Sequence, residues 1–235
     1  MKKLTPRAVV ALTNAFLLLV VAVIGAVCFF PTVAPAAGIE TRVHYRGRSE
    51  NGISPMFNVY WGTEEVKSIL DILDEYEVKV TFFIGGSWAD DNAPLVKEIA
   101  ERGHEIGTHG YFHKDQDKLS YEDNYREIQT SAEFLARASG KAITLFAPPS
   151  GAYSENTVNA ADALNMQTIL WSKDTIDWRD KDEDICYRRA TEHAAAGDLV
   201  LMHPMAHTVK ALPRILATYK EKGLNVITVS ENIGE

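Results

Sequence analysis

The sequence predicts an α/β fold built on a parallel sheet, and three observations carry that prediction. Helical apolar stripes and short apolar runs alternate from Phe57 onward, and strand after helix after strand means parallel pairing through right-handed crossovers. About six or seven such units fit into roughly 190 residues, which suits a (β/α) barrel or a doubly wound sheet. The chain has 235 residues, 46% of them hydrophobic, enough for one domain with a sizeable core and a short appendage.

The appendage comes first. Lys2, Lys3 and Arg7 precede residues 8–30, a run of 23 residues without a charge, long enough to cross a bilayer core at about 1.5 Å rise per residue. The expectation is an uncleaved transmembrane anchor over residues 1–30 with a cytoplasmic N-terminus, because the cations lie before the run. A cleaved signal peptide is the competing reading, since "APAAG" at 34–38 offers small residues, but a signal's apolar region spans only about 7–15 residues. Val27 before Cys28 fits poorly with lipoprotein processing. Residues 31–51 mix Pro, Gly and charges without periodicity and read as a tether. The domain proper is expected at 52–235, outside the membrane.

Within the domain, Thr63 is placed to cap a helix with Glu64 and Glu65 in its first turn, and Val66, Ile69, Leu70 and Leu73 form its apolar stripe. "VKVTFFI" (78–84) reads as a buried strand. Asn92 with Pro94 starts a helix that Gly103 stops, and Ser120 with Asp123 resembles a capping box for a helix ended by Gly140. "ITLFAPP" (143–149), "MQTILWS" (166–172), "DLVLMHP" (198–204) and "NVITVS" (225–230) read as the later strands.

In either architecture ligands bind beyond the C-terminal ends of the strands. His109 and His113 follow one strand, Pro148 and Pro149 another, Asp174 and Asp177 a third, and His203 a fourth. Polar and titratable groups converging on one mouth describe a site. The net charge of −8 excludes a nucleic-acid groove, which needs a field of the opposite sign. Two distant cysteines, Cys28 and Cys186, build neither a disulfide framework nor a zinc–cysteine site, and Cys186 is expected to be a packed thiol.

The ordered set "HGYFH", "FAPPSGAY", "DTIDW" and "LVLMH", preceded by "MFNVYWG" and "VKVTFFIGG", resembles the polysaccharide deacetylases, the NodB-homology or carbohydrate esterase family 4 group, over residues 52–230. The resemblance implies a distorted (β/α)7 barrel that removes acetyl groups from N-acetylated glycan such as peptidoglycan or a chitin-like polymer. It further implies a divalent ion held by one Asp and two His, a second Asp as base, an Arg orienting that base, and a His acting as acid. Carried across, His109 and His113 match the metal-ligand histidines, for which zinc or cobalt is suited. His203 matches the acid and Asp177 the carboxylate that holds it, with Asp174 as the alternative. Trp178, Tyr153 and Pro149 are candidate substrate contacts. His207 reads as loop surface, and His44, His104 and His193 receive no role.

Two motifs depart from the family. Where the two adjacent aspartates are expected, the chain has Asn58 and Val59, and where Arg is expected it has Ala147. The losses are coupled, because a partly buried guanidinium without its carboxylate costs several kcal/mol. One reading is a hydrolase whose ion is held weakly by His109, His113 and a substitute oxygen such as that of Asn58 or Glu64, with water activated by the ion alone and Asn58 standing where the family has its base. The alternative is a membrane-tethered glycan-binding relative that kept the pocket and lost the chemistry. The hydrolase label is preferred at this point because an acid with its holding carboxylate has no evident purpose in a binding protein. An amide hydrolase acting on a non-sugar substrate is a third possibility.

The anchor reading carries a direct test. The mature protein should fractionate with membranes and retain residues 8–30, as judged by N-terminal peptide mapping. A soluble form beginning near Ala37 or Gly38 would overturn it.

Overall fold

The computed structural model describes residue 7, residues 12–20 and residues 42–234. Residues 12–20 are helical and exposed, and among the described residues no helix is long and apolar enough to cross a membrane. Most of the uncharged run 8–30, Cys28 and residues 31–41 of the expected tether lie outside the described residues.

The body of the chain, residues 42–234, is a curled parallel half-barrel with helices outside it. Its nine strands are β1 (Val43–His44), β2 (Gly52–Val59), β3 (Thr81–Ile84), β4 (Glu105–Thr108), β5 (Leu145–Phe146), β6 (Gln167–Ile169), β7 (Lys173–Asp174), β8 (Leu199–Met202) and β9 (Asn225–Val226). They run in the order β1-β6-β5-β4-β3-β2-β8-β7, with β9 pairing separately on β2. All of these pairings are parallel. Only residues 170–172 separate β6 from β7, which belong to opposite ends of that order, so the sheet curls back on itself.

Strand β2 is the spine, with β3 on one side and β8 on the other. Its side chains alternate between two cores, as the period of a strand requires. Ile53, Phe57 and Val59 join the outer core, where α1 (Thr63–Glu75) contributes Val66, Ile69, Leu70 and Leu73. Met56 faces the inside of the curl with Phe83, Leu145, Ala147, Ile169, Leu199 and Leu201. The end of the curl at the start of β2 is closed by a short helix, Val229–Ile233. There Asn232 Nδ2 donates to Ser54 Oγ at 3.0 Å, and the Val229 N–H donates to Thr81 Oγ1 at 2.9 Å. Polar side chains thereby satisfy the groups buried under the plug.

Several expectations are corrected in detail. The expected tether 31–51 overlaps the folded body, because Val43 pairs with Thr168 and His44 with Ile169 in edge strand β1. The cap of α1 is Gly62 rather than Thr63, whose hydroxyl instead donates to Asn92 Oδ1 at 3.1 Å. The last strand covers only Asn225–Val226, because Thr228 and Glu231 form a capping box that starts the plug helix. By contrast, Ser120 Oγ accepts from the Asp123 N–H and Gly140 ends that helix at φ 69°, as the sequence indicates. Cys186 is buried, and burial pushes its thiol up to about 12.

His104, given no role from sequence, is a core residue. Its Nδ1 accepts from the Val80 N–H at 3.3 Å, its ring meets Phe82 edge-on, and Nε2 is buried without a hydrogen-bond partner among the described residues. Burial lowers its pKa to about 4, with the nearby Lys79 charge adding to the effect. A histidine depressed in the folded state binds its proton first when unfolded, so its contribution is complete above about pH 6.5 and is lost as pH falls toward 4. Denaturant unfolding should therefore show up to about 3 kcal/mol of acid destabilisation across that window. His104→Gln should flatten the slope, and an unchanged slope would remove His104 from the account.

Candidate functional site

The C-terminal ends of the strands open onto one cleft of about 290 Å³, lined by Asn58, Trp61, His109, His113, Ser150, Trp171, Asp174, Trp178, Leu201 and His203. Each side arrives there for a local reason.

His109 directly follows β4, with its N–H on the Ile84 carbonyl at 3.0 Å. Its Nδ1 lies 2.8 Å from the Ala147 carbonyl oxygen. A carbonyl only accepts, so the proton sits on Nδ1 and Nε2 keeps its lone pair. Burial, then the neighbouring His113, lower the His109 pKa to about 3, against the opposing pull of the Ala147 carbonyl. The ring is neutral at ordinary pH. His113 comes four residues later at φ 53°, its ring 5.1 Å from that of His109 and 4.9 Å from that of Tyr60. The loop that carries it is held by the buried Glu127 carboxylate, which accepts from the Tyr111 and Phe112 N–H groups at 3.1 and 2.9 Å and pairs with Lys114 at 2.8 Å. Gly85 and Gly86 make room for this wall. A Cβ on either would stand 2.3 Å from a ring carbon of Tyr60 or Tyr111, respectively.

On the far side, His203 follows β8 and donates from Nδ1 to Asp177 Oδ1 at 2.7 Å. Asp177 is buried and takes three further donors: the His203 N–H and Thr208 Oγ1 on Oδ2, both at 2.7 Å, and the Trp178 N–H on Oδ1 at 2.9 Å. Burial alone would raise the Asp177 carboxyl, but hydrogen bonding to His203 and its charge outweigh that and hold it below the usual carboxylate range. The Trp61 ring lies parallel to that of His203, 5.7 Å away and tilted by 6°, with Nε1–H on Met205 Sδ at 3.1 Å. Gly62, at φ 77°, lets this loop press against Pro204, whose oxygen would be 2.4 Å from a Cβ. His207, read from sequence as loop surface, is half-buried with Nε2 2.7 Å from the Asp177 carbonyl oxygen.

Thus Asn58, His109, His113, His203 and Trp178 share the cleft, and Asp177 stands directly behind His203. Two candidates for substrate contact do not line it. The Tyr153 hydroxyl pairs with that of Tyr45 at 2.6 Å and its ring packs with Val43, Val158 and Leu170, while Pro149 is buried. Ser150, at φ 57°, takes the lining position instead. Asp174, read from sequence as one of the converging strand-end groups and as the alternative to Asp177, also lines the cleft, together with Trp61 and Trp171, which the sequence reading gave no pocket role. Trp171 was visible as the aromatic at the end of "MQTILWS".

The departures from the family have a geometry. Asn58 faces the cleft, and among the described residues its Oδ1 is buried without a hydrogen-bond partner. Val59 points the other way, fully buried in the outer core, where it cannot reach an ion in the cleft. Ala147 is fully buried and offers only a methyl group and its carbonyl. Glu64, the suggested substitute ligand, is ion-paired with Lys67 at 2.8 Å on the exposed face of α1. Among the described residues no three His, Cys, Asp or Glu side chains are grouped to hold an ion. Two imidazoles and an amide do not fit a firmly held divalent ion, which takes charged or multiple donors.

Comparison with known proteins identifies the family and the fold. A polysaccharide deacetylase family model matches residues 46–169. The Bacillus subtilis protein YlxY is 34% identical, over 81% of this chain and 60% of its own length. A peptidoglycan-N-acetylglucosamine deacetylase from Bacillus cereus is 36% identical, over 71% of this chain and 62% of its own length. The chain therefore spans about three-fifths of these two relatives. Among solved structures, a carbohydrate esterase family 4 pseudoenzyme from Bacillus anthracis superposes with a TM-score of 0.80 at 33% identity, covering 86% of this chain and 70% of that one. A mutant of that pseudoenzyme has restored enzymatic activity.

Asp177 should behave as a structural keystone. Asp177→Ala leaves four donors without their acceptor and should lower unfolding free energy by about 3 kcal/mol, against about 1 kcal/mol for Thr208→Val. Equal, small effects in denaturant unfolding would remove Asp177 from that role.

Proposed function

This chain belongs to the polysaccharide deacetylase family, and from that premise we propose that it binds amino-sugar glycan without hydrolysing it efficiently. The observation that carries the proposal is the pairing of Asn58 in the cleft with Val59 in the outer core. Acetamide hydrolysis needs a group that takes a proton from water and a group that stabilises the oxyanion. An amide is a poor base, and the side chain beside it is apolar and faces away. With Ala147 in place of a guanidinium, no cation remains to orient a base carboxylate even if one were restored.

Binding, by contrast, is well provided for. Trp61, Trp171 and Trp178 line the cleft with Asn58, Ser150 and His203 among them. Flat aromatic faces suit the apolar faces of sugar rings, and the polar groups between them can fix hydroxyl and amide groups. The likeness to a family 4 pseudoenzyme supports the reading. Placement outside the membrane, anchored through residues 8–30, is part of the proposal and rests on the sequence; cell-wall glycan is then the polymer within reach.

A hydrolase reading keeps one specific support, the intact Asp177–His203 pair. Its weight is reduced by the other bonds Asp177 makes, since a carboxylate taking four donors is required by the fold whether or not the histidine moves protons.

The full chain should bind oligomers of β-1,4-linked amino sugars in calorimetric titration while acetate release stays at the uncatalysed background. Release that exceeds background and disappears in His203→Ala would establish the hydrolase reading instead. Val59→Asp should not create a metal ligand. It should place a carboxylate in the outer core and cost about 3 kcal/mol or more of stability.

A further inference from the structure

We infer that the cleft selects glycan whose amino groups are free rather than acetylated. This rests on the glycan-binding reading and names the chemical class of its ligand: glucosamine-type sugars carrying an ammonium group.

The argument starts from what lines the cleft. Among the described residues that line it there is no Lys or Arg, and Asp174 is the one carboxylate. Asp174 Oδ1 accepts from the Ile176 N–H at 2.7 Å, which fixes the side chain and leaves Oδ2 for a ligand. Two guanidiniums stand near Asp174, and the bonds they make go to Asp180 and to the Asp174 main chain rather than to its carboxylate. Arg179 Nε donates to Asp180 at 2.6 Å, and Arg189 Nε donates to the Asp174 main-chain carbonyl at 2.8 Å. The second carboxylate of the site, Asp177, is buried behind His203.

Three tryptophans line the same cleft as Asp174. Trp178 is 50% exposed and Trp61 39% exposed, so both offer ring surface to a ligand, and Trp171 is half-buried beside them. A carboxylate among aromatic faces in a partly enclosed cleft suits a cation, through direct charge attraction and through the negative face of each indole. It is also poor at holding a neutral acetamide by preference.

The losses at Val59 and Ala147 act in the same direction. A site built to hydrolyse acetamide carries positive charge, from a firmly held ion and an arginine, and an ammonium group would be repelled there. Here neither source is provided by the residues present, whereas Asp174 remains. The substitutions that removed the base, the charged ligand and the orienting cation therefore leave less positive charge for a ligand to meet.

The test compares two probes on the full chain by calorimetric titration in mildly acidic buffer, where the sugar amines carry their protons: a glucosamine tetramer and an N-acetylglucosamine tetramer. The glucosamine tetramer should bind at least about tenfold more tightly, and Asp174→Asn should reduce that ratio to below about threefold. The amide can still accept from the Ile176 N–H, so the loop is expected to keep its shape. Trp178→Ala should weaken both probes and leave the ratio in place. Glu64→Gln, an acid removed outside the cleft, controls for the overall negative charge of the chain and should not move the ratio. Equal affinities, or tighter binding of the acetylated probe, would overturn the inference while leaving the glycan-binding reading intact. So would a preference that survives in Asp174→Asn. If neither tetramer binds, both the inference and the reading beneath it fall.

Discussion

The period of strand β2 governs this molecule. It pairs with β3 and β8 along its length and with β9 at its start, so it cannot rotate without disturbing both flanks of the sheet. Adjacent residues on it must therefore face opposite cores. At its C-terminal end Asn58 turns to the cleft and Val59 to the helices, and this single alternation decides what the mouth of the half-barrel contains. A one-residue slip would exchange the two cores along the whole strand, which the buried Phe57, Met56 and Ile53 forbid.

Around that fixed strand the site divides into two halves of different character. One half is set by backbone: His109 is held by a carbonyl, and the loop to His113 by two N–H groups on Glu127. The other half is set by a buried charge, Asp177, which joins β8, the turn after β7 and the helix Ala206–Glu221 through side-chain and main-chain donors. Both halves serve the fold before they serve a ligand. Residues inherited from a catalytic arrangement can persist for that reason alone, so their presence says less about turnover than the identity of Asn58 and Val59 does.

Much of this was legible in the sequence. The alternation of elements, the Ser120 and Gly140 helix ends, and the convergence of His109, His113, Asp177 and His203 all follow from local pattern. What was not legible depended on contacts far apart in the chain. Val43–His44 is too short to show a period and becomes a strand only through β6. Tyr153 lies next to a site motif, yet its hydroxyl pairs with Tyr45, 108 positions away. Thr63 satisfies the usual cap rule, but Asn92 takes its hydroxyl and Gly62 supplies the left-handed cap position. The outward direction of Val59 could have been drawn from strand alternation. The split of 225–230 was similarly signalled by Thr228 and Glu231 at capping-box spacing, overlooked beneath an apolar run.

The distribution of indoles gives the molecule an optical property of its own. Of its four tryptophans, Trp61, Trp171 and Trp178 line the cleft, while Trp88 is buried against the outer core. Near-ultraviolet emission is thus weighted toward one small region of the surface. The wild-type chain reports on the polarity and occupancy of that region without a dye, and Trp88 supplies a background that a ligand in the cleft leaves unchanged.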